Sequence, residues 1–472
     1  MRNKFKYFLI LLLIFSLARA ENFNCFTILA GREATKSGCV LLAHNEDDYG
    51  QQVVNFYKVK SQDFTEKDSI TLKNGARLLQ EVERNAYVWL QIPGLDFSDS
   101  YFNDQGVVIA SDGCRSREDR SDLTDGGIGY WLRRLMAERA NSARQAVKIG
   151  GHLVEKYGYY SSGRSYCIAD TAEAWIMAVV KGRRWVARRI PDDHVAVIPN
   201  FYTIQDINLN DTLNYLASDD IITYAKKRGW YDPEEDGEFN FRQVYGAGLD
   251  HPSNVNRMGR GVNLLSEKQY EIDSSTRLPF SFQPRKKLSR QDLMKVLRDH
   301  YENTELAASN EDSIHTNKNR PICTRATKYG FVAQLTPKEP LEENSVLWLA
   351  PGRSCSMPAI PIYFSIEKFP SELQQFSSPQ IALENQYKEF ENPYQNNSEH
   401  LFVKIIEYCD YYDENYDRLK NSRTGFIKDY EDSLSTVVES LEYKNDQQLL
   451  NILNKISTNS IQKLYDFIEL TK

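Results

Sequence analysis

Mostly apolar runs from Phe26 to Ala30 and from Cys39 to Ala43 flank turn formers from Gly31 to Gly38. This pattern predicts a hairpin over residues 25–45, buried on both faces. Further strands are predicted at 87–92, at Gly106 to Ala110, at 166–169, at Ala174 to Val180, at Trp185 to Ile190 and at 194–198. Lys181-Gly182-Arg183 forms a tight turn, so 174–190 reads as a second hairpin. Between these strands Leu132, Leu135, Met136, Ala140, Ala143, Val147 and Leu153 recur at three- and four-residue spacing. That period predicts a helical pair over about 129–157, with Asn141 or Ser142 capping the second helix. Strands, then two helices, then strands is the order of a layered α+β fold with helices packed over sheet.

The stretch from about 205 to 320 is polar and irregular and predicts long loops over the sheet, with a short helix near 291–301. Strand character returns at Phe331 to Leu335, Val346 to Leu349 and Ile362 to Phe364. After about 375 the composition turns to Tyr, Glu, Asn, Lys and Leu without alternation, which predicts a helical extension. Leu401, Ile405 and Cys409 mark an amphipathic face that would pack on the main domain. The expected organisation is a catalytic domain over 25–375 and a helical extension over 376–472.

The first twenty residues change the picture. Arg2, Lys4 and Lys6, an apolar run from Tyr7 to Leu17, and small residues at Ala18 and Ala20 form the three parts of a secretory signal. Cleavage after Ala20 leaves residues 21–24 as a short propeptide ahead of Cys25. This polar spacer separates the cysteine from the apolar run and argues against a lipid anchor. A net charge of −7 and a pI near 5.7 lack the dense basic face that nucleic-acid binding needs. No later segment has the run of apolar residues needed to span a bilayer. The expected location is secreted or periplasmic.

Seven cysteines leave one odd thiol in an oxidising compartment, and Cys25 is the candidate, although buried reduced cysteines such as Cys167 would account for the parity equally well. No cysteine pair has C-x-x-C spacing and no H-E-x-x-H occurs, so neither a metal nor another cofactor is indicated. A cysteine at a new amino terminus carries its own base. The thiol has an ordinary pKa of roughly 8.5, whereas a free α-amine titrates at about 7.7–8.0 and can take the thiol proton near neutral pH. An internal peptide nitrogen cannot, so removal of residues 21–24 would act as the switch. With the hairpin turn centred near 34–35, facing residues add to 69 or 70, which sets Cys25 beside His44 and Asn45 with Asp47 diagonal. On this register Asp47 could hold the ammonium group, while His44 and Asn45 face the substrate. The same run also suits a solvated turn. Asn200 follows a strand and could donate to an oxyanion, or simply end the strand.

Together these residues resemble the N-terminal-nucleophile dipeptidases, the family of dipeptidase A and the secernins, with choloylglycine hydrolases more distant. The resemblance runs through Cys25 to Gly31, Ala34 to Gly38, His44 to Asp47, Asn103 to Ala110, Cys114 to Glu118, Arg134 to Arg139, Tyr157-Gly158, Ala174-Trp175, Arg184 to Asn200, Arg320 to Cys323, Phe331 to Leu335 and Trp348 to Gly352. It implies a four-layer αββα fold, Cys25 as nucleophile, and hydrolysis of dipeptides through a thioester. It further implies Asp47 on the α-amine and Asn200 in the oxyanion hole. His44 stands where arginine is common in the relatives, and an imidazole cannot copy the bidentate fork. Arg320 is a further candidate for the substrate pocket. Small peptides are the expected partners, and self-association is left open because the family contains self-associating members. Two other readings stay in view: an amidase or acyltransferase of the same fold acting on N-acylated amines or amino acids, and a non-catalytic binding protein.

Overall fold

The computed structural model describes residues 25–471 apart from 49–51, 64–68, 73–74, 82, 95–98, 121–126, 130, 250, 274–276, 310–313, 316, 387–398 and 440–445. The predicted signal and propeptide, residues 1–24, lie outside the described residues. Two antiparallel sheets form the centre. The six-stranded sheet runs, edge to edge, Val195–Ile198, Phe26–Ala30 (β1), Val40–Asp47 (β2), Thr327–Leu335, Val346–Pro351 and Ile360–Tyr363. The eight-stranded sheet runs Tyr215–Ala217, Trp185–Arg189, Ala174–Gly182, Tyr159–Ala169, Val108–Gly113, Ser100–Asn103, Tyr87–Gln91 and Asn55–Val59.

Side-chain alternation distributes the core. Phe56, Val88, Phe102, Ala110, Cys167 and Ile176 point from the eight-stranded sheet into one cluster shared with the six-stranded sheet. Their neighbours Tyr57, Trp89, Tyr101, Ile109, Tyr166 and Trp175 point the other way, onto the helices Trp131–Arg139 and Ala143–Tyr157. Ser142 caps the second of these helices, its hydroxyl accepting from Gln145 N at 3.2 Å. On the far side of the six-stranded sheet lie Pro252–Leu265 and Arg290–Leu297, the latter opened by a Ser289/Asp292 capping box. The order of layers is helix, sheet, sheet, helix: the αββα sandwich implied by the resemblance.

The helices Leu401–Glu414, Tyr416–Glu439 and Asp446–Thr471 extend the layer over the six-stranded sheet to its Ile360–Tyr363 edge. Polar ties fix them there. Ser457 takes the Tyr363 N–H at 3.3 Å, and Glu431 takes the Ala359 N–H at 2.6 Å while pairing with Arg298. Among the described residues no helix is long and apolar enough to cross a membrane.

Among its described residues the region read as irregular, 205–320, contains three helices besides Arg290–Leu297: Ile221–Lys227, Phe241–Tyr245 and Pro252–Leu265. The last was concealed by its composition, since Asn254, Asn256, Gly259, Gly261 and Asn263 are weak helix formers. Its glycines serve packing instead. A Cβ at Gly261 would lie 2.9 Å from Val197 Cγ1 and 3.0 Å from Phe26 Cζ, so glycine lets this helix rest directly on β1 and its neighbour.

Gly151 meets a similar limit, because a Cβ there would lie 2.1 Å from Cζ2 of Trp185, whose indole N–H is tied to Glu155 at 2.9 Å. Alanine gains about 1 kcal/mol of helix propensity, but overpacking costs about 1–3 kcal/mol. We therefore expect Gly151→Ala to lower stability by about 1–2 kcal/mol in urea unfolding. A more stable variant would show that the Trp185 ring moves aside freely.

Candidate active site

The hairpin pairs Thr27 with His44 and Ala30 with Leu41, so facing residues add to 71 rather than to 69 or 70. A 3-10 turn at Arg32–Ala34 lengthens the connection, and Val40 rather than Cys39 opens β2. The shift matters because alternate residues face opposite layers. Cys25 now stands opposite Glu46. Thr27, His44 and Glu46 share its face, toward the eight-stranded sheet, while Asn45 and Asp47 face the helices.

On the inter-sheet face, hydrogen bonds run through five side chains. The Cys25 thiol donates to Glu46 Oε1 at 3.2 Å, and Glu46 Oε2 lies 3.2 Å from His44 Nε2. His44 Nδ1 lies 2.7 Å from the Thr27 hydroxyl, which donates to Asp112 Oδ2 at 2.6 Å. Both ring nitrogens of His44 are therefore committed, and its immediate task is to hold Glu46. Cys25 is 1% exposed. Burial, and then the charges of Glu46, Asp112 and Asp47, push its thiol pKa well up, which keeps the sulfur protonated in the full-length chain. Burial likewise raises Asp112 to about 6, against the opposing pull of His44 and Thr27.

On the helix face, Asp47 is held by two hydroxyls, Thr324 donating to Oδ2 at 2.9 Å and Thr327 to Oδ1 at 2.6 Å. Asn45 is a correction to the expected substrate contact. Its amide donates to the carbonyls of Leu297 and Ile322 at 2.8 and 3.2 Å and accepts from Ser354 at 2.7 Å, so it stitches the sheet to the helix layer. Gly330 keeps that bond open, since a Cβ would come within 2.0 Å of Ser354 Oγ.

Arg257, from the helix concealed in the sequence, is the residue that joins these parts. Fully buried, it donates from Nη1 to the Cys25 carbonyl at 3.3 Å. From Nη2 it donates to Asn200 Oδ1 at 2.8 Å and to Asn254 Oδ1 at 2.6 Å. A guanidinium has only donors, so it dictates that Asn200 turns its oxygen inward and its NH2 away. Asn200 Nδ2 is buried and has no hydrogen-bond partner among the described residues. The amide predicted to end a strand thus presents an uncommitted donor.

Arg320, the further candidate for the substrate pocket, sits at φ 49° in the loop before Thr327–Leu335, with its N–H on the Asn317 carbonyl at 2.9 Å and its own carbonyl accepting from Tyr301. The seven cysteines form no disulfide, so parity singles out no thiol. Cys25, His44 and Glu46 place their donor atoms within 4.8 Å of one another and could in principle grip a cation, but the hydrogen bonds above already use all three groups.

Burial raises the Asp47 pKa from its ordinary 3.8 to about 7. The folded state then holds this proton more tightly than the unfolded state, so the contribution to stability is full below 3.8 and is lost as pH rises through 7. A neutral amide in its place has no such loss. In a Cys25→Ala chain, whose thiol can neither titrate nor react, the stability of Asp47→Asn relative to Asp47 should rise between pH 4 and 7.5. The gain is at most about 4 kcal/mol by urea unfolding. A difference independent of pH would mean that Asp47 is ionised throughout.

The family model described as Peptidase family C69 matches residues 24–395. A probable dipeptidase of Latilactobacillus sakei is 27% identical over 361 residues, covering 73% of this chain and 75% of that protein. A dipeptidase of Bifidobacterium longum is 23% identical over 405 residues, covering 77% and 75%. Among solved structures, penicillin V acylase from Agrobacterium tumefaciens aligns with 72% of this chain and 86% of its own at 12% identity and a TM-score of 0.33. With most of its length matched by the family model, from the residue before the thiol to beyond the last sheet strand, the chain belongs to peptidase family C69.

Proposed function

We propose that this chain is an exported cysteine dipeptidase whose nucleophile, Cys25, becomes active when residues 1–24 are removed. One observation carries the reading: a single buried guanidinium, Arg257, ties the main chain of Cys25 to Asn200 and orients that amide as a free donor. The dipeptidase names of its relatives support the substrate class, and the leader pattern supports export.

The chemistry follows from the groups present. In the precursor the thiol is held protonated and the residue 25 nitrogen is an amide, so the site is silent. Removal of residue 24 turns that nitrogen into an amine that accepts the thiol proton. The Asp47 carboxylate then stabilises the resulting ammonium, and the ammonium in turn favours an ionised Asp47. The thiolate attacks the peptide carbonyl carbon, and Asn200 Nδ2 donates to the oxyanion. Collapse breaks the C–N bond, the ammonium returns its proton to the departing amine, and a thioester remains on Cys25. Water, deprotonated by the same amine, releases the acid and restores the thiol. Glu46 and His44 act as positioning residues for the sulfur.

The test combines intact mass and amino-terminal sequencing with assays on a dipeptide panel and on N-acyl amino acids. Active protein should begin at Cys25 and cleave the dipeptides, and Cys25→Ala should be inert. Asn200→Ala should lower kcat by about 10²–10³-fold with a smaller change in KM. Active enzyme that still carries Glu21 would refute the amine-base mechanism, and turnover confined to N-acyl amino acids would refute the dipeptidase assignment.

A further inference from the structure

A second group of reactive side chains lies away from the nucleophile. His300, His315, Cys323 and Cys355 bring one donor atom each within 4.8 Å of all the others. His300 follows the helix Arg290–Leu297, His315 and Cys323 come from the loop before Thr327–Leu335, and Cys355 follows Val346–Pro351. Three of the four are buried and Cys355 is half-buried.

Proton placement defines what this group can accept. His300 Nδ1 lies 2.9 Å from Glu302 Oε1, and His315 Nδ1 lies 2.7 Å from Asp413 Oδ1. Ionised carboxylates only accept, so each ring carries its hydrogen on Nδ1 and turns Nε2 inward as an electron-pair donor. Those two Nε2 atoms stand 3.1 Å apart. His315 Nε2 is also 3.1 Å from Cys355 Sγ and 3.8 Å from Cys323 Sγ. Two imidazole lone pairs and two sulfurs converging on one point call for a positive centre.

The spacing suits zinc. Ligand bonds of about 2.0–2.1 Å to nitrogen and about 2.3 Å to sulfur, in a tetrahedron, put ligand atoms about 3.3 Å (N to N), 3.5 Å (N to S) and 3.8 Å (S to S) apart. The N–N separation of 3.1 Å and the N–S separations of 3.1 and 3.8 Å fall around those values, and all four atoms lie within 4.8 Å of one another. Carboxylates behind both histidines provide the outer support that fixes tautomer and ring orientation in zinc sites. A solvent-connected cavity of about 720 Å³, lined by His300, Cys355, Tyr412 and Arg298 among others, gives an ion access.

We propose that His300, His315, Cys323 and Cys355 bind one zinc ion in a closed, four-ligand structural site. Four protein ligands leave no open position for substrate, so the ion's part is structural. It would clamp the loop that carries Thr324, the residue next to Cys323 and one of the two hydroxyls on Asp47. The sequence indicated no metal because its ligands are separated by 15, 8 and 32 positions, outside the compact spacings by which zinc motifs are recognised.

Full-length wild-type and Cys25→Ala proteins, expressed with zinc in the medium and passed through gel filtration, should each carry about one zinc by elemental analysis. Cys323→Ala and His315→Gln should lose it, and cobalt added to stripped wild-type protein should give the near-ultraviolet thiolate charge-transfer band of a tetrahedral site. Stripping should also lower the melting temperature. Three results would overturn the proposal: folded wild-type protein, by circular dichroism, that neither carries nor takes up zinc; a non-reduced peptide map joining Cys323 to Cys355; or zinc lost from Cys25→Ala but kept in Cys323→Ala. Because metal content is read directly, failure here leaves the dipeptidase assignment standing, and the reverse holds as well.

Discussion

The pairing of Thr27 with His44 is the constraint on which the rest of the site depends. A strand alternates its side chains between two layers, so this register sorts a short polar run into two environments. Glu46 and His44 go inward between the sheets with the Cys25 sulfur, and Asn45 and Asp47 go outward to the helices. A slip of one residue would exchange them. Asn45 opposes the slip from within, since its three hydrogen bonds to Leu297, Ile322 and Ser354 exist only on the helix side. Burying polar groups at this density is tolerable only because each is bonded, and the bonds in turn make the register costly to change.

The two faces divide the electrostatic work. Between the sheets Cys25 sits among carboxylates, which together with burial favour the thiol over the thiolate. On the helix side Arg257 supplies a fixed positive charge beside the Cys25 carbonyl and near Asp47. The same residue therefore feels carboxylates at its side chain and a guanidinium at its main chain. That balance keeps the Cys25 sulfur a thiol, and a positive charge placed on the residue 25 nitrogen would shift it toward the thiolate.

Much of this was legible in the sequence, and the limits have identifiable causes. The central strands of both sheets appear as continuous apolar runs because both of their faces are covered. Cys25, Asp47 and Asn200 stand out as polar residues at strand ends. The register did not, because the 3-10 turn at Arg32–Ala34 leaves no periodic trace, and with the parity undecided between 69 and 70 Asn45 looked like a substrate contact and Glu46 went unnoticed. Arg257 was concealed for a different reason: its helix is written in asparagine and glycine to permit close approach to β1, and those residues imitate a loop. A signal was present nonetheless. Val255, Met258, Val262 and Leu265 keep helical spacing and are all buried, so periodicity outweighs propensity there.

The region least regular in backbone is the one on which the precision of Asp47 rests. Between Asp299 and Cys323 the described residues form no long element, and Tyr301, Asn303 and Arg320 all adopt positive φ without being glycine. Such conformations are unfavourable by about 1–3 kcal/mol each and persist only where surrounding contacts over-determine them. Side chains supply those contacts here: Arg260 grips Asp299 through two bonds, the Tyr301 hydroxyl reaches the carbonyls of Asn319 and Arg320, and Asn317 and Asn319 share the Leu306 carbonyl. Of the two threonines that hold Asp47, Thr324 directly follows this segment and Thr327 opens the next strand. Freedom in this loop would pass to them directly, because Thr324 is separated from it by no rigid element. The cross-links between Asp299 and Cys323 are therefore the means by which an irregular segment places the Asp47 carboxylate as firmly as a strand would.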